Sequence, residues 1–210
     1  MLVAFDFDGA LVRSDPYVLL AEPHGVDGAV TSRLDAVARG EEPLADALPA
    51  VAGELAGLPV EQAGVALDRL QVRAGAADLL RDCHAADHHV AVVTDAPRRA
   101  VEHVLDPVDF AVDAVIANRL PEANDALTGD LEGPVLAEGK DGALSGAAAA
   151  AGVDPAETIA VADDRRDIPM LQAAGTGVGV DPAPVVSDIA DLTVPSVERL
   201  HLRLQERNVV

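Results

Sequence analysis

Six polar side chains of this 210-residue chain stand at the ends of short apolar runs or lead into them. Asp6 and Asp8 follow Leu2-Val3-Ala4-Phe5, Thr94 follows Val90-Ala91-Val92-Val93, and Asp163 and Asp164 follow Thr158–Ala162. Lys140 opens the helix that leads into that last run. In open α/β sheets, sites form beyond the carboxyl ends of the strands, so this register gathers the six at one edge. Carboxylates converging there repel one another unless a cation lies among them. Oxygen-only ligands of this kind suit Mg²⁺, which keeps several waters and takes a substrate phosphate oxygen. A lysine and a hydroxyl facing the same point bind the remaining phosphate oxygens. One carboxylate is then free to attack phosphorus and form an acyl-phosphate. A second, two residues further on, can serve as general acid and then as base.

The elements that must position these groups follow from the apolar pattern. Residues 2–5 read as a buried strand halted by the turn Asp6-Phe7-Asp8-Gly9. From residue 15 to about 73 the apolar positions recur at helical spacing, broken at Gly25, Gly40, Gly53 and Pro59. That predicts three or four short helices with no strand between them. A second strand spans 89–93, with Pro97 expected in the first turn of the next helix. Further strands are expected at 112–118, 158–162, 176–180 and 191–194, and a small hairpin within 120–131. Helices are expected over 141–151 and 168–174, and a closing helix from the N-cap Ser196 to about Arg207.

Strands alternating with helices predict a doubly wound parallel sheet covered on both faces. The block between the first two strands is too long for a crossover and reads as a small inserted helical cap. The expected division is an α/β core of residues 1–14 and 76–210 and a cap of residues 15–75.

Composition bounds the rest. Half of the residues are hydrophobic but only 2% are aromatic, so the core is built of Ala, Val, Leu and Ile. The formal net charge of −21, spread along the chain, repels nucleic acid and anionic membranes and argues against both as partners. Lys140 is the single lysine among 15 basic residues. That balance, with abundant Ala and Asp, resembles the proteins of salt-loving archaea. The one cysteine, Cys83, excludes an intrachain disulfide. No apolar run reaches the ~18 residues of a membrane span and no leader pattern is visible, so the expected location is the cytoplasm. The sequence leaves the oligomeric state open.

The polar residues together resemble the motifs of the haloacid dehalogenase superfamily. Asp6-Phe7-Asp8-Gly9-Ala10 is similar to its first motif, Val92-Val93-Thr94 to the second, Lys140 to the third, and Ala162-Asp163-Asp164-Arg165-Arg166-Asp167 to the fourth. Ala117-Asn118-Arg119-Leu120, Leu127-Thr128-Gly129-Asp130 and Asp167-Ile168-Pro169-Met170-Leu171 resemble the wording of its phosphoserine phosphatases. The resemblance implies a Mg²⁺-dependent phosphatase that acts through a phosphoaspartyl intermediate on a small phosphomonoester, in serine biosynthesis. It makes Asp6 the nucleophile and Asp8 the acid and base. It places Mg²⁺ on Asp6, the backbone carbonyl of Asp8, and Asp163. Thr94 and Lys140 would bind phosphate, Asp167 would orient Lys140, and Asp15 falls where the family has a substrate-binding Glu. Asp8 favours a phosphatase over a dehalogenase, since dehalogenation needs no leaving-group proton.

Several positions depart from that pattern. Ala10 replaces a Thr or Ser, and Asp95 stands in place of Gly. Asp164-Arg165-Arg166 replaces Gly-Ala-Asn, which leaves Arg166 either a phosphate contact or an exposed residue, and lets Asp164 share or replace Asp163 as a metal ligand. The stretch 47–52 (Ala-Leu-Pro-Ala-Val-Ala) lacks the family's carboxylate-binding Arg, with Arg13 and Arg33 the nearest alternatives.

Plainer readings stand beside these. Asp-x-Asp recurs in solvent turns, Thr94 can be a strand-end cap, and Asp163 and Asp167 can be ordinary N-capping acids. A calcium loop fails because Gly9 follows Asp8 at once and no Glu closes it. A P-loop fails because the spacing from Gly133 to Gly139-Lys140 is one residue too long and Asp141 replaces Ser or Thr. His84, His88 and His89 lack partners at zinc spacing, and Cys83 reads as a small buried hydrophobe. Two other functions use the same residue types. A phosphorylatable signalling module combines them too, but places its acceptor Asp on a middle strand. A non-catalytic binding protein is suggested by Ala10 and the missing cap Arg.

Overall fold

The computed structural model describes residues 1–105 and 110–210. Its strands are β1 (Leu2–Phe5), β2 (His89–Pro97), β3 (Ala114–Asn118), β4 (Glu122–Ala123), β5 (Ala126–Leu127), β6 (Thr158–Ala162), β7 (Thr176–Val180) and β8 (Leu192–Val194). The helices α1 (Pro16–Ala21), α2 (Asp27–Arg39), α3 (Leu44–Glu54) and α4 (Val60–Leu67) lie between β1 and α5 (Ala76–Ala85). After β2 come α6 (Arg98–Leu105), α7 (Pro134–Ala151), α8 (Ile168–Ala173), α9 (Pro184–Ser187) and α10 (Val197–Glu206).

Six strands form one parallel sheet in the order β3-β2-β1-β6-β7-β8, while β4 and β5 make a separate antiparallel hairpin. Successive strand residues face opposite sides, and both sides are dry. Val3 and Phe5 join Val90, Val92 and Val161 in one apolar cluster. Leu2 and Ala4 join Ala91, Val93 and Ala160 in a second, beneath Leu144 of α7 and Met170 of α8. A parallel sheet covered on both faces needs such near-continuous apolar strands.

The strand order reverses between β1 and β6, which pair with Phe5 opposite Val161. Asp6 and Asp163 are the first residues past the carboxyl ends of these two strands. The crevice at such a reversal is the ligand site of open α/β sheets.

The chain leaves the sheet for the α1–α4 block and returns at one place. Val12 and Val72 form an antiparallel bridge, the Arg13 N–H donates to the Gln71 carbonyl at 3.0 Å, and the Arg73 N–H donates to the Leu11 carbonyl at 2.8 Å. Leu20, Leu48 and Leu55 of the block extend the same apolar cluster that covers one face of the sheet.

Three details differ from the sequence pattern. β2 continues to Pro97, so this proline ends a strand and does not open α6. β1 stops opposite Val92, and the pairing to β3 shifts register between Thr94 and Pro97. The missing N–H of Pro97 therefore disturbs no regular ladder. α7 starts at Pro134, seven residues before the Ala-rich run, but breaks at Gly139 (φ 74°, ψ 172°) so that Lys140 opens its second segment. α5 completes the covering of the sheet and was not separately marked by the apolar pattern.

Candidate active site

The turn after β1 is built around a glycine. Asp6 donates its N–H to the Val161 carbonyl at 2.8 Å and is 2% exposed. Gly9 has φ +79°, and a Cβ placed there would stand 2.1 Å from Asp163 Oδ1. Gly9 thus satisfies a left-handed backbone and leaves room for a carboxylate. Asp163 Oδ1 is buried without a hydrogen-bond partner. One carboxylate oxygen from each of Asp6, Asp163 and Asp167 lies within 4.8 Å of the others. An orphaned buried oxygen among three converging carboxylates fits a hard divalent cation such as Mg²⁺. Asp8, expected to contribute its backbone carbonyl, turns its carboxylate to Arg166, and the third carboxylate of the triad is that of Asp167.

Lys140 stands beside them. Gly139 supplies the φ +74° that halts the first segment of α7, and Lys140 then sends its ammonium inward with its side chain 2% exposed. Nζ donates to Asp6 Oδ1 at 2.8 Å and to Asp167 Oδ1, and lies 2.6 Å from Asp95 Oδ1. Asp167 does two jobs. Its Oδ2 accepts from the Asp164 N–H at 3.1 Å, closing a capping box around the 3₁₀ turn Arg165–Asp167, while its Oδ1 holds Lys140. Asp164 caps that turn through the Arg165 N–H and does not belong to the acidic triad. Asp167 thus closes the capping box as its third residue and touches Lys140 at once, while as the N-cap residue of α8 its side chain makes no capping hydrogen bond.

Arg166 organises the other side. Its side chain is 10% exposed, so the exposed alternative fails, and it lies against four carboxylates: Asp8 at 2.8 Å, Asp95 at 3.1 Å, Asp164 at 3.3 Å and Asp15 at 3.5 Å. Asp95 therefore bridges Lys140 and Arg166. Asp15 caps α1 with Oδ1, which accepts from the Tyr17 N–H at 2.8 Å, and presents Oδ2 to Arg166. The buried Tyr17 hydroxyl donates to the Asp95 carbonyl at 3.0 Å. Thr94 is fully buried, and its Oγ1 accepts from the Ala96 N–H at 3.2 Å. Its hydroxyl hydrogen is left for an acceptor.

The charges are strongly shifted. Burial pushes Asp6 up, reinforced by Asp167 against the pull of Lys140. Burial and then Asp15 raise Asp8 to about 8, against the pull of Arg166. Burial and then the facing Asp167 and Asp6 raise Asp163 to about 8. Burial also acts to raise Asp95, but Lys140 and Arg166 more than offset it and hold that carboxyl below the usual range. Lys140 and Arg166 stay charged despite burial because acids surround them. Such opposed shifts in one cleft are typical of sites that move protons and bind anions.

Asp8, Asp15, Asp163 and Arg166 line one cleft of about 290 Å³, together with Arg13. Arg166 and Lys140 also line a neighbouring cavity of about 580 Å³ beside Leu44 and Val135. The structure thus brings together Asp6, Asp8, Asp15, Thr94, Lys140, Asp163 and Asp167. It also recruits Tyr17, which sequence reasoning missed. Its signal was being the chain's single tyrosine, two residues past an N-capping Asp. Arg33 instead pairs with Glu42. The histidines stand apart: His88 Nε2 meets the Val209 carbonyl at 2.7 Å, and among the described residues no metal-spaced group includes a histidine. Cys83 is buried with its thiol pushed up to about 12 by burial, which leaves it inert. Among the described residues no helix is long and apolar enough to cross a membrane.

The chain is similar to known proteins in sequence and in fold. The haloacid dehalogenase-like hydrolase family matches residues 3–172. A phosphoserine phosphatase of Halobacterium salinarum is 40% identical over 208 residues, 99% of each chain. Phosphoserine phosphatase SerB2 of Mycobacterium tuberculosis is 32% identical over 92% of this chain, which spans 47% of that protein's length. Among solved structures, a phospho-aspartyl intermediate analogue of phosphoserine phosphatase superposes with a TM-score of 0.89 at 28% identity, covering 96% of this chain and 97% of that one.

Proposed function

The chain belongs to the haloacid dehalogenase-like hydrolases and is a phosphatase, and we propose that it hydrolyses phosphoserine in a Mg²⁺-dependent reaction centred on Asp6. The observation that carries this reading is the setting of Asp6: buried at the sheet's switch point, with Lys140 on one oxygen and two further carboxylates beside it.

Thr94 and Lys140 take the non-bridging phosphate oxygens, and Asp167 holds Lys140 in place. The Asp6 carboxylate attacks phosphorus in line with the ester oxygen and becomes a mixed anhydride. Asp8 gives its proton to the departing serine oxygen, and then takes a proton from the water that attacks the phosphoaspartate. Phosphate leaves and Asp6 is restored. The raised position of Asp8 suits it to carry that proton near neutral pH. Asp6, Asp163 and the backbone carbonyl of Asp8 would hold Mg²⁺, with Asp167 in reach. When bound, the cation neutralises the crowded carboxylates and draws charge from a phosphoryl oxygen.

Asp15 would meet the substrate's ammonium. Residues 15–75 act as a cap over a core of 1–14 and 76–210, tethered at the Val12–Val72 bridge. Phosphoserine hydrolysis would put the enzyme at the serine-forming step of a cytoplasmic pathway. The net charge of −21 and the 40% identity to a Halobacterium salinarum protein support adaptation to high salt. The test is a panel of phosphoserine, glycerol phosphate, sugar phosphates and nucleoside monophosphates assayed with and without Mg²⁺. Phosphoserine is expected to give the highest kcat/KM, with turnover dependent on Mg²⁺. A tenfold preference for another monoester would replace the substrate assignment.

A further inference from the structure

A phosphorylated amino acid carries an ammonium and a carboxylate on one carbon, so the groups that read them must be neighbours. The phosphate is already accounted for by Asp6, Thr94 and Lys140, and Asp15 offers an acid to the ammonium. A cation for the carboxylate is needed next to Asp15. Helix α3 supplies none, since residues 47–52 carry no charge, and Arg33 is engaged by Glu42. Arg73 also lines the cleft, but its Nη1 faces Asp181 at 3.7 Å. Arg13 lines the cleft with an exposed side chain.

Arg166 meets the requirement from the core side. Its Nη1 lies 3.5 Å from Asp15 Oδ2, and it forms part of the wall of both cavities beside the acidic triad. We propose that Arg166 is the specificity-determining cation that reads the substrate's carboxylate, with Asp95 its positioning residue. This rests on the phosphoserine reading.

A zwitterion can enter the Asp15–Arg166 pair without changing the total charge: its ammonium takes Asp15, and its carboxylate takes the guanidinium edge that Asp15 releases. The planar fork of Arg suits a carboxylate better than a point charge does. Asp95 fixes that fork at 3.1 Å with one oxygen and lies 2.6 Å from Lys140 with the other. One buried carboxylate thereby sets the spacing between the phosphate-binding and carboxylate-binding cations. The Tyr17 hydroxyl on the Asp95 carbonyl fixes the backbone of the bridge from the helix that Asp15 caps.

The experiment compares phosphoserine with phosphoethanolamine, which keeps the phosphate, the two-carbon bridge and the ammonium but lacks the carboxylate. Both are assayed in the full chain with Mg²⁺, for the wild type and for Arg166→Gln, Arg166→Lys and Asp95→Asn, each checked for a native melting transition. Arg166→Gln is expected to lower the phosphoserine-to-phosphoethanolamine ratio of kcat/KM by about 10- to 100-fold, the worth of a charge-assisted hydrogen bond, chiefly through KM for phosphoserine. Arg166→Lys should recover part of the ratio, and Asp95→Asn should lower it by a smaller factor. Should Arg166→Gln fail to fold, the partial loss of ratio in Arg166→Lys carries the same test. Equal losses on both substrates would show that Arg166 grips the phosphate or Asp8, and would overturn the proposal. A wild type that turns over other monoesters but neither of these two would remove the phosphoserine reading itself.

Discussion

Withdrawing and restoring Mg²⁺ at several pH values tests the acidic triad directly. Asp163 is raised to about 8, first by burial and then by the facing Asp167 and Asp6. With a pKa near 8 it carries ~0.9 of a proton at pH 7, and ~0.1 at pH 9. A cation needs the ionised carboxylate, so its binding must expel that proton. Asp6, raised by burial and Asp167, adds to the count. Uptake of Mg²⁺ at pH 7 is therefore expected to release about one proton or more, falling well below one at pH 9. The same groups set stability. The native pKa of Asp163 lies above the unfolded value of 3.8, so between 3.8 and about 8 the metal-free native state holds a proton that the unfolded chain has lost, and Asp6 is shifted in the same direction. Stability without metal then falls as pH rises through that window, by up to ~1.4 kcal/mol per pH unit for each such carboxyl. Calorimetric titration with Mg²⁺ in two buffers of different ionisation enthalpy counts the protons. Thermal melts from pH 5 to 9, with chelator and with Mg²⁺, read the stability. Release of fewer than ~0.3 protons at pH 7, or identical pH slopes with and without Mg²⁺, would refute the reasoning.

Three substitutions probe the rest of the site. Asp6→Asn is expected to abolish turnover while the melting transition survives, because an amide cannot form the acyl-phosphate; more than a few per cent of wild-type activity would count against Asp6. Asp8→Asn should slow alkyl phosphates by about 10²- to 10⁴-fold and an activated aryl phosphate by much less. Equal losses on the two would remove Asp8 as the acid. Gly9→Ala adds a Cβ that would stand 2.1 Å from Asp163 Oδ1 at φ +79°. It should cost about 1–3 kcal/mol from backbone strain alone and weaken Mg²⁺ binding, read by a denaturant melt and by the same calorimetric titration.

Much of this architecture is legible in the sequence because period and punctuation carry it. The apolar runs at 2–5, 89–93 and 158–162 end in polar residues, and parallel packing turns that one-dimensional register into one edge of a sheet. Lys140 was legible as the single lysine after a glycine, and the break at Gly139 is what aims it inward. The pattern does not encode which way a side chain turns after a strand ends. Asp8 and Asp167 share the edge with Asp6, yet one carboxylate turns to Arg166 and the other to Lys140. The extension of β2 to Pro97 was equally hidden, because Thr94 and Asp95 read as the start of a turn. That extension buries Asp95 at 3% exposure.

Asp95 and Arg166 were each visible as a departure from the motifs the chain resembles, where a glycine and an asparagine would stand. Separately each is an anomaly: an acid placed beside a phosphate site, and a large cation in a small polar position. At 3.1 Å from one another they explain each other. Asp95 also has Lys140 and Arg166 also has Asp8, Asp15 and Asp164; removing one partner of a buried pair costs about 3–5 kcal/mol, and together the two bring in a guanidinium without adding net charge. With the partners 71 positions apart in the chain, no local pattern in a single sequence could have joined them. Once both sit near the carboxyl ends of β2 and β6, flanking β1, the contact that joins them also links Arg166 to Lys140 through the two oxygens of Asp95.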